Sequence, residues 1–170
     1  MTELTIRTFH VFEASATQVW EVLADFGAIQ QWWPAEGPLV IERVELEGQG
    51  VGMIRHIFNR GARHQVSERL EQLDPDERIL KLSILGRDSG RTPWYQATAR
   101  IVDLETDRCR LDYESQFRTP RGRENETREG ILLAYQAMFS GLQNAATRAN
   151  GEFGGSGPRA APPAQRARSQ

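Results

Sequence analysis

Cys109-Arg110-Leu111-Asp112-Tyr113-Glu114-Ser115-Gln116-Phe117, followed after a short break by Glu124 to Asn150, is the stretch that decides the fold. In the first part Cys109, Leu111, Tyr113, Ser115 and Phe117 alternate with Arg110, Asp112, Glu114 and Gln116. That period of two predicts a strand with one dry face and one wet face. In the second part the period changes: Ile131, Leu132, Tyr135, Met138, Phe139, Leu142 and Ala146 recur at helical spacing and form one apolar stripe. Glu124, Glu126 and Glu129 suit the positive end of that helix, and Asn150-Gly151 suits its C-cap.

Working back from this pair, the chain reads as successive hairpins. Strand character runs over Leu39 to Leu46, Gly52 to Phe58, His64 to Leu73, Ile79 to Leu85 and Gln96 to Leu104. Between these lie Gly48-Gln49-Gly50, Asn59-Arg60-Gly61, Asp74-Pro75-Asp76-Glu77 and the loop Gly86 to Pro93. Consecutive hairpins predict an antiparallel sheet. Leu80, Leu82 and Ile84 share one of its faces.

Ahead of the hairpins, Thr5 to Phe12 alternates as a first strand. Ser15-Ala16-Thr17-Gln18 has the form of a capping box opening a short helix through Val19, Trp20, Val22 and Leu23. Asp25-Phe26-Gly27 interrupts that helix, and Ala28 to Trp33 forms another turn or two before Pro34. The order is strand, two short helices, six strands, long helix. Residues 1–150 are read as one domain. Residues 151–170, rich in Gly, Pro, Ala and Arg with Phe153 as the one large apolar residue, are read as a disordered tail.

Composition narrows the function classes. The 21 Lys and Arg nearly balance 23 Asp and Glu, for a net charge of -2, so no global field recruits nucleic acid or an acidic membrane. The longest apolar stretch, Ile131 to Phe139, falls far short of the roughly 20 residues that span a bilayer. The one cysteine, Cys109, has no partner for a disulfide and the start lacks a secretory pattern, so the chain is read as cytoplasmic. His10, His56 and His64 have none of the spacings of a zinc site. No metal or cofactor is expected.

Several stretches, in this order, resemble the START-like and birch-pollen-allergen-like (SRPBCC) superfamily, in particular its bacterial polyketide cyclase/dehydrase branch. They are Ala14 to Phe26 closing with Trp32 and Pro34, then Gly50-Val51-Gly52-Met53-Ile54-Arg55, Glu68-Arg69-Leu70 with Asp74, Pro93 with Tyr95, and the terminal helix. The resemblance covers residues 4 to about 149. It implies an α+β helix-grip fold: seven curved antiparallel strands around the last helix, with a cavity roofed by the two short helices. It also implies a small hydrophobic or polyketide-like ligand. It does not fix an activity, because fold alone licenses no reaction.

If the dry faces point inward, Tyr113, Ser115, Phe117, Tyr135, Met138 and Phe139 line either a packed core or a pocket, with Leu82 beside them. Tyr113, Ser115 and Tyr135 carry polar tips that need partners, which a pocket supplies. Pairing Asn59 with Ala62 places Arg55 opposite Val66 and diagonal to Glu68 on one face, and a slip of one residue brings His56 and Ile54 there instead. Arg55 and Glu68 are read either as a salt bridge fixing the hairpin or as an anchor for a polar ligand group, with Glu68, Arg55 and Tyr113 the candidates if there is chemistry. Trp94 and Tyr95 stand at the hinge of a candidate flap, Gly86 to Pro93. Of Trp32 and Trp33, which cannot both face inward on a helix, one packs and Trp33 is taken as the ligand contact.

The expected function is therefore binding of a small hydrophobic molecule in an internal cavity, with cyclisation or dehydration of a polyketide-like intermediate as an added activity. The alternatives are a non-catalytic carrier of a lipid or isoprenoid-like ligand and a protein-interaction module. A homodimer is left open.

Overall fold

The structure is a computed structural model that describes residues 1–86 and 93–153. Most of the candidate flap and most of the tail, residues 87–92 and 154–170, lie outside the described residues. The order is β1 (Thr2–Phe12), α1 (Ala16–Ala24), a 3-10 turn (Phe26–Ala28), α2 (Ile29–Trp32), β2 (Ile41–Glu47), β3 (Ile54–Asn59), β4 (Val66–Asp74), β5 (Ile79–Leu85), β6 (Pro93–Glu105), β7 (Arg108–Thr119) and α3 (Glu124–Phe153). The strands form one sheet in the order β1-β7-β6-β5-β4-β3-β2, and every neighbouring pair is antiparallel. This is the helix-grip fold. α3 continues to Phe153, past the cap expected at Asn150-Gly151.

Local chemistry sets the elements as the residues suggest. The capping box forms: Ser15 Oγ accepts from the Gln18 N–H at 3.2 Å and Gln18 Oε1 accepts from the Ser15 N–H at 3.0 Å. Asp74 Oδ1 accepts from the N–H groups of Asp76 and Glu77, which closes the β4–β5 turn. Bulges in β4 at Glu71 and in β6 at Trp94 insert one unpaired residue each and bend the sheet around the helix.

The β3–β4 hairpin departs from the expected register. The Ala62 N–H does donate to the Asn59 carbonyl at 3.1 Å, so the turn exists. Pairing between β3 and β4, however, begins only at Ile57 and Val66, which sets Arg55 directly opposite Glu68 rather than opposite Val66. The polar Arg63, His64 and Gln65 stay exposed outside the strand, while Val66 packs on the core and fixes the register there. The correction is by two residues, so no side chain changes face.

The core lies between the concave face of the sheet and α3, closed by α1. Phe12, Val19, Leu111 and Leu142 are among its fully buried members. Gly141 of α3 makes one approach possible: a Cβ there would lie 2.3 Å from the Trp32 carbonyl oxygen and 3.1 Å from Pro34 Cδ. The end of α2 therefore rests on the backbone of α3.

Candidate functional site

At one end of this core the packing is incomplete. A cavity of about 110 Å³ remains between α1, α2, the middle of the sheet and α3. Its volume is below the roughly 300 Å³ of an ordinary small-molecule pocket, so it suits a compact molecule. Larger depressions, of about 230, 550 and 630 Å³, lie on the outer side of the sheet and are edged by polar side chains such as Gln96, Gln116, Arg7 and Arg100. The inner cavity is bounded by both sheet and helix and is the better enclosed.

Its walls are apolar on most sides. Leu23, Ile29 and Trp32 come from α1 and α2, Phe26 from the 3-10 turn between them and Trp33 from the residue after α2, with Leu80, Leu82 and Ile84 from β5 and Ile131, Ala134 and Met138 from α3. Trp32 and Trp33 both border it, against the expectation that only one faces inward. The helix ends at Trp32, and Trp33 has extended backbone angles, φ -65° and ψ 141°, so the spacing rule for helical neighbours no longer applies. The Trp33 indole N–H donates to the Leu39 carbonyl at 2.8 Å, while that of Trp32 is buried without a partner among the described residues.

Two polar features interrupt the apolar wall. The first is an ion pair: Glu68 Oε2 lies 2.7 Å from Arg55 Nε and 2.6 Å from an Arg55 Nη atom. The second Nη of Arg55 donates to the Phe26 carbonyl at 2.7 Å, and the guanidinium lies 3.8 Å over the Phe26 ring. Arg55 thus ties the sheet to the 3-10 turn. Taking its charge out of water is costly, and the carboxylate, the carbonyl and the ring together offset that cost.

The second feature is a group of hydroxyls. Tyr95 and Tyr135 lie 2.6 Å apart at their hydroxyl oxygens, and Tyr135 donates onward to Ser115 Oγ at 2.5 Å. The Tyr113 ring meets Tyr135 edge-on at 4.8 Å and adds a third phenol to the group. Burial pushes all three phenols above their ordinary range, reinforced for Tyr95 and Tyr113 by phenol neighbours. They are neutral hydroxyls at physiological pH.

The anticipated residues divide cleanly. Trp33, Arg55, Glu68, Leu82, Tyr95, Tyr113, Tyr135 and Met138 border the cavity. Ser115 stands behind it as the acceptor of Tyr135. Phe117 stacks on Tyr95, and Phe139 stacks on His10 at 5.0 Å, both away from the cavity. Trp94 is the extra residue of the β6 bulge and borders an outer depression. Leu23, Phe26, Ile29 and Ile131 were not anticipated: their periodicity marks them as buried, and periodicity does not say where burial leaves a gap. His56 bonds with Ser67 and Glu47 on the outer face, and His64 is exposed. No group of three or more acidic, His or Cys side chains among the described residues has metal-binding geometry.

The chain matches the family model for polyketide cyclase / dehydrase and lipid transport over residues 3–148. No curated protein matches it. Among solved structures, a point mutant of norcoclaurine synthase from Thalictrum flavum, in complex with a transition-state analogue, is similar with a TM-score of 0.67 and 18% identity, over 88% of this chain and 97% of that one. An uncharacterised protein from Bacillus thuringiensis gives 0.66 and 20%, over 85% and 99%. The protein XoxI from Bacillus cereus gives 0.62 and 24%, over 92% and 100%. At these identities the likeness establishes the fold.

Proposed function

The chain belongs to the polyketide cyclase / dehydrase and lipid transport family, within the SRPBCC superfamily, and from that premise we propose that it binds one compact, largely apolar molecule in the cavity between sheet and last helix. The observation that carries this reading is the free volume itself. A sheet and helix with this many large apolar side chains tend to close up, because voids forfeit contacts on all sides. Here a gap is retained, and it is bordered by an ion pair and three hydroxyls as well as apolar groups. That combination suits a ligand with an apolar body and one polar end. Native mass spectrometry of gently purified protein, followed by organic extraction, tests it: a stoichiometric small apolar compound is expected. Failure of every compact apolar probe to displace anything or to bind would sink the proposal.

A catalytic reading has one observation in its favour. The same cavity holds neutral phenols, which can give protons, and a carboxylate, which can take one, and dehydration or aldol cyclisation needs both functions. On this reading Tyr113 is the acid nearest the Arg55–Glu68 pair. Tyr113→Phe should then abolish turnover of the extracted compound or its precursor while leaving its binding within about threefold. Equal loss of both favours the carrier.

A further inference from the structure

The Arg55–Glu68 pair holds hydrogen-bonding capacity that its own contacts leave over, in both senses. A guanidinium carries five N–H groups in one plane. Arg55 directs its Nε–H and one Nη–H to Glu68 Oε2, and one N–H of the other Nη to the Phe26 carbonyl. One N–H therefore remains on each Nη. Arg55 is 6% exposed and borders the cavity, so the cavity is the space that these two donors can reach.

Glu68 is left with the opposite function. Both contacts from Arg55 arrive at Oε2, and Oε1 accepts no hydrogen bond among the described residues. Nor is Oε1 walled in: the described side-chain atoms that lack both a partner and water-sized access are Trp32 Nε1 and Arg108 Nε. Strand pairing sets Arg55 directly opposite Glu68. Since Oε1 and the Nη bonded to Oε2 both flank that oxygen, a free acceptor and a free donor stand side by side on the wall. The residue of β5 facing Glu68 is Ile84, so the wall beside the pair turns apolar at once. Farther along, the hydroxyls of Tyr95, Tyr135 and Ser115 bond among themselves.

We infer that the polar end of the ligand is a neutral group that both accepts and donates, a carboxamide or a hydroxyl. It takes a hydrogen bond from a free N–H of Arg55 and gives one to Glu68 Oε1, with its apolar body against Ile84, Leu82 and Met138. This rests on the binding reading above and adds the chemistry of the polar contact. A ligand end that only accepts covers Oε1 without supplying a donor, and an acceptor left so loses its hydration for nothing in return. A charged end is disfavoured in either sign: the pair is neutral as a whole, a carboxylate brings a second anion to Glu68, and an ammonium brings a second cation to Arg55.

Benzamide, acetophenone and α-methylstyrene test it. They share one shape, and their ends differ: the first accepts and donates, the second only accepts, the third does neither. Benzoate adds the charge. Occupancy is read from the methyl signal of Met138, one of three methionines in the chain, and affinity from calorimetry. Benzamide should move the Met138 signal and bind about tenfold tighter than acetophenone, the weight of one hydrogen bond to a charged acceptor, and tighter than benzoate at neutral pH. In Glu68→Gln, Arg55 holds the amide oxygen and turns the amide NH₂ to the cavity, so benzamide should lose its advantage over acetophenone. If these compounds move Met138 but acetophenone binds as tightly as benzamide, or benzoate more tightly, the inference falls and the cavity reading stands. If none of them moves Met138, both fall. The comparison in the unsubstituted protein decides the matter even if Glu68→Gln does not fold.

Discussion

Gly141 in α3 lies against the carbonyl of Trp32 so closely that a methyl group on it would sit 2.3 Å from that oxygen. A glycine inside a helix ordinarily costs about 1 kcal/mol relative to alanine, so Gly141→Ala in an exposed helix would be stabilising. Here the obstacle is backbone, which no rotamer change relieves. The substitution should instead lower stability by about 1–3 kcal/mol, as overpacking does, and shift the tryptophan emission as α2 lifts. A higher denaturation midpoint for the variant would show that the contact is not as close as described.

The three tyrosines of the chain are all members of the hydroxyl cluster, so its titration is free of background. Burial holds each phenol above its ordinary value of about 10. The unfolded chain releases these protons near pH 10 while the folded chain keeps them. The folded state thus holds more protons above that pH, and stability is constant below it and falls as pH rises beyond it. Absorbance at 295 nm should show no tyrosinate in native protein at pH 10.5, then appear together with loss of near-UV circular dichroism. A separate tyrosinate step in folded protein would contradict the buried network.

Removing one partner of the Arg55–Glu68 pair should cost more than removing both. Arg55→Met leaves a carboxylate in an apolar wall and frees the Phe26 carbonyl, and a loss of about 3–5 kcal/mol is expected from urea denaturation. The double variant Arg55→Met with Glu68→Met should recover at least half of that loss. Additive losses in the double variant would mean that the two side chains act independently.

Cys109 is fully buried, and burial, with Asp103 adding to it, pushes its thiol up to about 11. A thiol reagent at pH 8 should therefore leave native protein untouched and label it in one phase on addition of denaturant, since the chain has a single cysteine. Rapid labelling of native protein would place Cys109 nearer the surface.

The fold was legible because its evidence is local. Alternation through Cys109 to Phe117, the helical stripe from Ile131 to Ala146 and the Ser15–Gln18 box each specify an element from neighbouring residues. The site was half legible for the opposite reason. Facing inward and bordering a cavity are different properties: Phe117 and Phe139 share faces with Tyr113 and Tyr135, yet they pack on Tyr95 and His10 beyond the end of the gap. Trp33 borders the cavity, but the helical-neighbour rule that singled it out does not govern it, because α2 stops one residue earlier. The closeness of Gly141 to Trp32 joins segments more than a hundred positions apart, and no spacing in the sequence reports it.

The β3–β4 hairpin has a lesson for variation in length. Its pairing starts two residues later on the return strand than the Asn59–Ala62 turn would set, and Arg55 and Glu68 still share a face. Because strands repeat every two residues, the tip of this hairpin tolerates insertions or deletions in pairs without altering which side chains line the cavity. A single-residue change accommodated within β3 would exchange Arg55 for His56 on the wall, replacing a permanent cation with a titratable one. Even and odd changes at one exposed tip would thus separate relatives that keep this binding chemistry from relatives that acquire another.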